Sequence, residues 1–213
     1  MSFFYGAHMK NSYLSPLCDD EDEEKKKIPE MPDPLTEKFL KTRQIILSGE
    51  INKDLADKIV RQLLVLEADS NEKTIYMYID SPGGDVDAGF AIFDMIRFIK
   101  APVVLIGMGL IASAATLVLL AVPKEHRIGL PNSHYLIHQP MSGMKGVATD
   151  IEIHAKELAK THAKLNQIIS DETGKPVDQV AKDTDRDHWL DAGEAQEYGL
   201  ISAVICKREE LEK

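Results

Sequence analysis

The chain has 213 residues, 44% of them hydrophobic, with a formal net charge of -10 and a pI near 5.2. That length suits one domain with an appendage, and the acidic balance argues against nucleic acid and against an anionic membrane surface as partners. Its two cysteines, Cys18 and Cys206, form neither a disulfide framework nor a metal-ligand spacing, and MSFFYGAHMKN lacks the basic start and apolar core of a secretory signal, so free thiols in a cytoplasmic protein are expected.

Residues 1–35 hold DDEDEEKKK and then IPEMPDP. Charge blocks and prolines disfavour a packed core, so a flexible charged arm is expected there, with one domain over 36–213. RQIILSGEI (43–51) reads as a strand. Residues 52–69 place Leu55, Ile59, Val60, Leu63, Leu64 and Leu66 at helical spacing, with Asn52 as N-cap. TIYMYID (74–80) reads as a strand, SPGG (81–84) as a turn and 86–100 as an amphipathic helix. The alternation predicts βαβ units around a largely parallel sheet, whose strands are buried on both faces.

No charged residue occurs from Ala101 to Val122. A run of about 20 apolar residues can span a membrane. The amphipathic elements on either side need a partner to bury against, which favours a soluble core. On that reading PVVLIGM is a central strand, Gly107 and Gly109 mark a turn, and SAATLVLLA starts a buried helix. Beyond it, RIGL and YLIH read as short strands and SGMKGV as an extended segment. Thr149 and Glu152 match a capping box at the start of a long helix, which Gly174 stops. Asp191 to Glu194 caps a shorter helix, and LISAVI (200–205) is a last strand.

Two turns could carry chemistry. The paired glycines after Asp80-Ser81-Pro82 let backbone N–H groups face an oxyanion, although such a turn is as often structural. Ser113 sits at a strand-to-helix turn among small residues, the logic of a nucleophile elbow without its G-x-S-x-G form. Spacing alone favours an N-cap serine there. A serine nucleophile needs a base. Of seven histidines, His8 lies in the arm and His154 and His162 lie on the long helix among lysines, while His126, His134 and His188 have polar neighbours. No HExxH spacing supports a metal. His138 ends an apolar strand before Pro140, where sites collect in α/β folds, though a structural histidine is the commoner case. Spacing does not choose an orienting acid among 35 carboxylates.

The motifs SPGG, Gly-x-x-Ala-Ser, LPNS…IHQP, ATDIEIHAKE and DTDRDHWLDAGEAQEYGLI follow one another over residues 43–206. Together they resemble the proteolytic subunit of the Clp protease. The resemblance implies an α/β, ClpP/crotonase-like fold of repeated β-β-α units with a protruding strand-helix handle over about 142–174. It implies a serine endopeptidase that hydrolyses unfolded proteins to short peptides. Ser113 falls on the family's nucleophile, His138 on its general base and Asp187 on its orienting acid. The backbone N–H groups of Gly84 and Ala114 fall on the oxyanion donors, and Asp185 and Arg186 on charges that pair between rings. The implied assembly is two stacked heptameric rings, homomeric or mixed, fed by an AAA+ unfoldase. That partner uses the ATP, so no cofactor or metal is expected in this chain. Ile111 and Ala114 depart from the family's usual residues, and the arm does not resemble its gating loops. Three alternatives stay open: a non-catalytic or regulatory ring subunit beside an active paralogue, a crotonase-type acyl-CoA enzyme, and a signal peptide peptidase of related fold, for which no anchor is evident.

Overall fold

A computed structural model of the chain describes residues 34–212. The expected arm, with His8 and Cys18, lies outside the described residues as far as residue 33. Helix α1 (Pro34–Lys41) already occupies the last two residues assigned to that arm. Proline is well placed at a first helical position, where no N–H is needed.

The expected alternation follows: β1 (Gln44–Ser48), α2 (Lys53–Asp69), β2 (Ile75–Ser81), α3 (Val86–Phe98), β3 (Val103–Ala112) and α4 (Ala114–Leu119). Next come β4 (Arg127–Gly129), β5 (His134–Ile137), α5 (Ala148–Thr173), α6 (Val177–Asp183), β6 (His188–Leu190), α7 (Ala192–Tyr198) and β7 (Ala203–Val204). The sheet runs β1-β2-β3-β4-β7 in parallel, while β5 joins the far half of β3 and pairs antiparallel with β6. The fold class is α/β, as expected. The short elements α6 and β6 escaped the sequence reading, and the last strand keeps only two of its six expected residues.

Side chains of β2 alternate. Ile75, Met77 and Ile79 are fully buried, while Tyr76, Tyr78 and Asp80 lie half-buried on the other face. β1 does the same with Ile45 and Leu47 inward. Burial on both faces therefore fails for these two strands. Ile59 and Leu63 of α2 and Ile92 of α3 close the covered face, each worth about 1.5–3 kcal/mol of burial.

The charge-free run forms β3 and α4, and every residue of α4 is buried. Among the described residues no helix is long and apolar enough to cross a membrane. The expected turn at Gly107 and Gly109 is corrected, because β3 continues through both to Ala112. Gly107 leaves room for a distant ring: a Cβ there would lie 2.8 Å from the Tyr135 hydroxyl. Gly109, at φ +60°, forms a bulge, and pairing with β2 shifts from Ile79↔Gly107 to Ser81↔Ile111. Asp80 Oδ1 accepts from Leu110 N–H at 3.1 Å and fastens it. The bulge lets β3 pair first with β4 and then with β5 along one edge.

Asn52 caps α2 through Leu55 N–H, the Asp191–Glu194 capping box forms in both directions, and left-handed Gly174 ends α5. The expected capping box at Thr149 does not form. Helix α5 starts earlier, with Val147 at the N-cap and no side-chain cap, and Glu152 pairs instead with Lys156 at 2.7 Å. Residues 142–146 form no strand, since no strand among the described residues lies beside them to complete a ladder. Residues 142–174, the expected handle, are thus an irregular segment followed by a helix.

Candidate active site

Ser113 is the single residue between β3 and α4, with φ +56° and ψ -120°. Non-glycine residues avoid such angles, at a cost of order 1–3 kcal/mol, unless neighbours enforce them. Here they do. Ser113 N–H donates to Leu136 O at 2.9 Å, and Ser113 O accepts from Thr116 N–H at 2.9 Å. The Thr116 hydroxyl, buried, reaches Ile111 O and Leu136 O at 3.1 Å each. Thr116 escaped the sequence reading, although a hydroxyl three residues after a turn serine is a readable signal. The N-cap role for Ser113 is also corrected: it holds that position, but its hydroxyl makes no cap bond.

The Ser81–Gly84 turn lies against this one. Ile51 N–H donates to Gly83 O at 2.7 Å, and Asp85 N–H donates to Ile51 O at 2.8 Å. These bonds flank Gly84 and leave its own N–H outside the bridge. Ala114 N–H is the first of α4 and has no acceptor within the helix. A Cβ on Gly83 would lie 2.5 Å from Ala112 O, 2.8 Å from Ser113 Cβ and 2.9 Å from Ala114 N. Only glycine permits that approach. The turn that could face an oxyanion and the turn that carries the serine are thus in contact.

β5 and β6 bring in the other two residues. β5 pairs with β3 as Ala112↔Leu136, so His138 emerges one residue further along its own strand than Ser113 does. β6 runs back along β5 with Ile137↔His188 as the last pair. The next antiparallel pair in that register is His138 with Asp187, and His138 Nδ1 lies 3.1 Å from Asp187 Oδ1. The histidine side chain is 13% exposed and the aspartate 62%. Ser113 and His138 border one cleft, lined also by Thr116 and by apolar groups including Leu117, Leu120, Ile137, Leu165 and Ile169.

Ala114 also borders this cleft, whereas Ile111 is fully buried with its side chain against Gly107. Of the two departures, only Ala114 can touch a bound molecule. Asp185 and Arg186 are exposed and border a second, open cleft with His138, Met141, Ser142 and Leu158. Among the described residues neither forms an ion pair. Two other histidines bond elsewhere: His154 Nε2 lies 2.7 Å from Ser142 Oγ, and His162 Nε2 lies 3.3 Å from Thr184 Oγ1. Among the described residues no group of three histidine, cysteine or carboxylate side chains could hold a metal ion.

Ser113 and His138 share a cleft without a hydrogen bond between them, Asp187 sits on the imidazole Nδ1, and two amide N–H groups are free of helix and bridge; a set of groups of this kind can pass a proton and stabilise an oxyanion. Known proteins carry a similar sequence. A family model described as Clp protease matches residues 30–208. The ATP-dependent Clp protease proteolytic subunit 2 of Treponema denticola is 65% identical over 195 residues, covering 92% of this chain and 98% of the relative. That alignment is longer than residues 36–213 and so reaches into the arm. The protein of the same name from Treponema pallidum is 69% identical over 177 residues, covering 83% of this chain and 89% of its own. A solved structure of a ClpP1 point mutant from Listeria monocytogenes superposes with a TM-score of 0.78 at 44% identity, covering 83% of this chain and 99% of that one. A family match across most of the chain, close relatives over nearly their full length and a shared fold agree: this chain belongs to the Clp protease family.

Proposed function

We propose that Ser113, His138 and Asp187 are the catalytic triad of this serine-type endopeptidase. The observation that carries the reading is the register of β3, β5 and β6, which delivers a carboxylate-paired imidazole to the cleft beside a constrained serine. His138 takes the Ser113 proton as the oxygen attacks a peptide carbonyl. Asp187 holds the imidazole in one tautomer and stabilises its charged form. The N–H groups of Gly84 and Ala114 receive the tetrahedral oxyanion, worth roughly 3–4 kcal/mol for one donor. His138 then protonates the leaving amine, and water repeats the cycle on the acyl-enzyme. The apolar cleft takes the side chain before the cleaved bond, so peptides with leucine or phenylalanine there are preferred to those with aspartate.

The substrates are unfolded polypeptides, cleaved to short peptides inside two stacked heptameric rings. Residues 142–174 meet the opposite ring, where Asp185 and Arg186 find charged partners. An AAA+ unfoldase supplies the substrate and spends the ATP, in keeping with the words ATP-dependent in the relatives' name and with a cytoplasmic setting. Both of those relatives are numbered subunit 2, which favours rings shared with a paralogue.

The test is labelling with a fluorophosphonate probe, with the chain alone and with a candidate paralogue. An adduct on Ser113 that disappears in Ser113→Ala supports the triad. No adduct under any assembly condition overturns it and leaves a non-catalytic ring subunit. Tight acyl-CoA binding in place of labelling selects the crotonase-type reading.

A further inference from the structure

Asp187 poses a physical problem. Its carboxylate is 62% exposed. Even as a full ion pair, a contact to so exposed a carboxylate is worth only about 0–1 kcal/mol, too little to fix one geometry against solvent. The backbone that carries it must therefore be held by something else.

Residues 185–187 bridge the end of α6 and the start of β6. At one end, Thr184 is buried and tied three ways. Its hydroxyl donates to Asn166 Oδ1 of α5 at 2.8 Å, lies 2.9 Å from Val180 O, and stands 3.3 Å from His162 Nε2. At the other end, His188 enters the β5 ladder. Between these anchors Gln139 makes two contacts. Its backbone N–H donates to Thr184 O at 2.6 Å, and its side-chain Nε2 donates to Asp185 O at 2.7 Å. Among the described residues, the only side chains outside residues 185–187 that reach this segment by hydrogen bonds are those of Gln139 and His138.

We propose that Gln139 is a positioning residue for Asp187. It follows His138 directly in the chain, so one residue ties the base and the loop of its orienting acid together. Without the Nε2 bond, the Asp185–Asp187 segment loses its side-chain anchor within the protomer, and the 3.1 Å contact with His138 is lost for part of the time. Through Thr184 and Asn166 the same clamp links the pair to α5. The inference rests on the triad reading above.

The experiment is a double-mutant cycle in the assembled full-length chain, with fluorogenic peptide turnover, Ser113 labelling rate and sedimentation as readouts. Gln139→Met keeps the length and removes the donor. It is expected to lower kcat about 10- to 100-fold with KM within about twofold, since an error of about 1 Å in a catalytic group can cost 100-fold. In an Asp187→Ala background the same change is expected to cost nothing further, because Gln139 acts only through that carboxylate. A merely structural residue would lower both backgrounds equally. Wild-type kcat in Gln139→Met, or an equal loss in both backgrounds, overturns the proposal. If Gln139→Met does not assemble, Gln139→Glu, of the same shape without the donor, is read in the same way. A wild-type chain that Ser113 probes never label removes the triad itself, an outcome distinct from a labelled wild type with an indifferent Gln139.

Discussion

Gly83 and Gly49 make a matched pair. Their φ angles are nearly equal, +88° and +86°. A Cβ on Gly49 meets nothing within 4 Å, whereas one on Gly83 meets Ala112 O, Ser113 Cβ and Ala114 N at 2.5–2.9 Å. Alanine at either position incurs the same backbone strain, roughly 1–2 kcal/mol. For a body of this size that lowers Tm by roughly 2–8 °C. Only Gly83→Ala also pushes on the serine turn, where the neighbours must yield roughly 0.5–0.9 Å to reach ordinary contact. Two of the three neighbours are backbone atoms, and one is the Ala114 nitrogen proposed to meet the oxyanion. Loss of one such donor lowers kcat by roughly 100- to 1,000-fold. Gly83→Ala is therefore expected to lose that much turnover, and Gly49→Ala to keep wild-type kcat. The assay is fluorogenic peptide hydrolysis with Ser113 labelling, at matched protomer concentration, beside a thermal melt of each variant. A Gly83→Ala enzyme that turns over like Gly49→Ala would refute the reasoning.

Glu172 near the end of α5 accepts from Arg97 and from Arg127, whose side chain is 1% exposed. Burial already pushes the Arg127 guanidinium below its usual range, so removing its counter-charge leaves a buried cation unpaired. Glu172→Gln is expected to cost about 3 kcal/mol, read as a fall in Tm. Burial also pushes the Tyr135 hydroxyl up to about 12 from its usual 10. Below pH 10 the ring is protonated whether the chain is folded or not, and no stability depends on it. Between pH 10 and 12 the unfolded chain releases the proton first, so the fold loses up to about 3 kcal/mol as pH rises. Tyr135→Phe is expected to flatten that alkaline slope in denaturant titrations, and an unchanged slope would assign it to Tyr198, whose hydroxyl burial also raises.

Much of this protein is local and was legible as such. Leu63 and Ile59 at helical spacing, the Asn52 cap, the Asp191–Glu194 box and the Gly174 stop each depend on residues within about one turn of one another. They appear in the structure where the sequence put them. The motifs around Ser113, His138 and Asp187, taken together, named the family. Singly they did not separate a nucleophile from a helix cap.

Beyond a few short elements and the cap of α5, what escaped the sequence is non-local. Gly107 looks like a turn residue until Tyr135, on another strand, places its hydroxyl where a Cβ would stand. Thr149 and Glu152 spell a capping box, but the chain enters α5 at Val147 and the box never closes. His138 and Asp187 are 49 positions apart, and only the antiparallel register of β5 and β6 sets them side by side. Spacing along a chain fixes which face of a helix or strand a side chain occupies. Which two faces meet, and in what register, depends on strand pairing that buries both at once. The sequence by itself determined most of the longer elements and the kinship; the tertiary structure alone decided that Ser113 is held in a strained turn, that Gly83 lies against it, and that Gln139 bonds to the loop that carries Asp187.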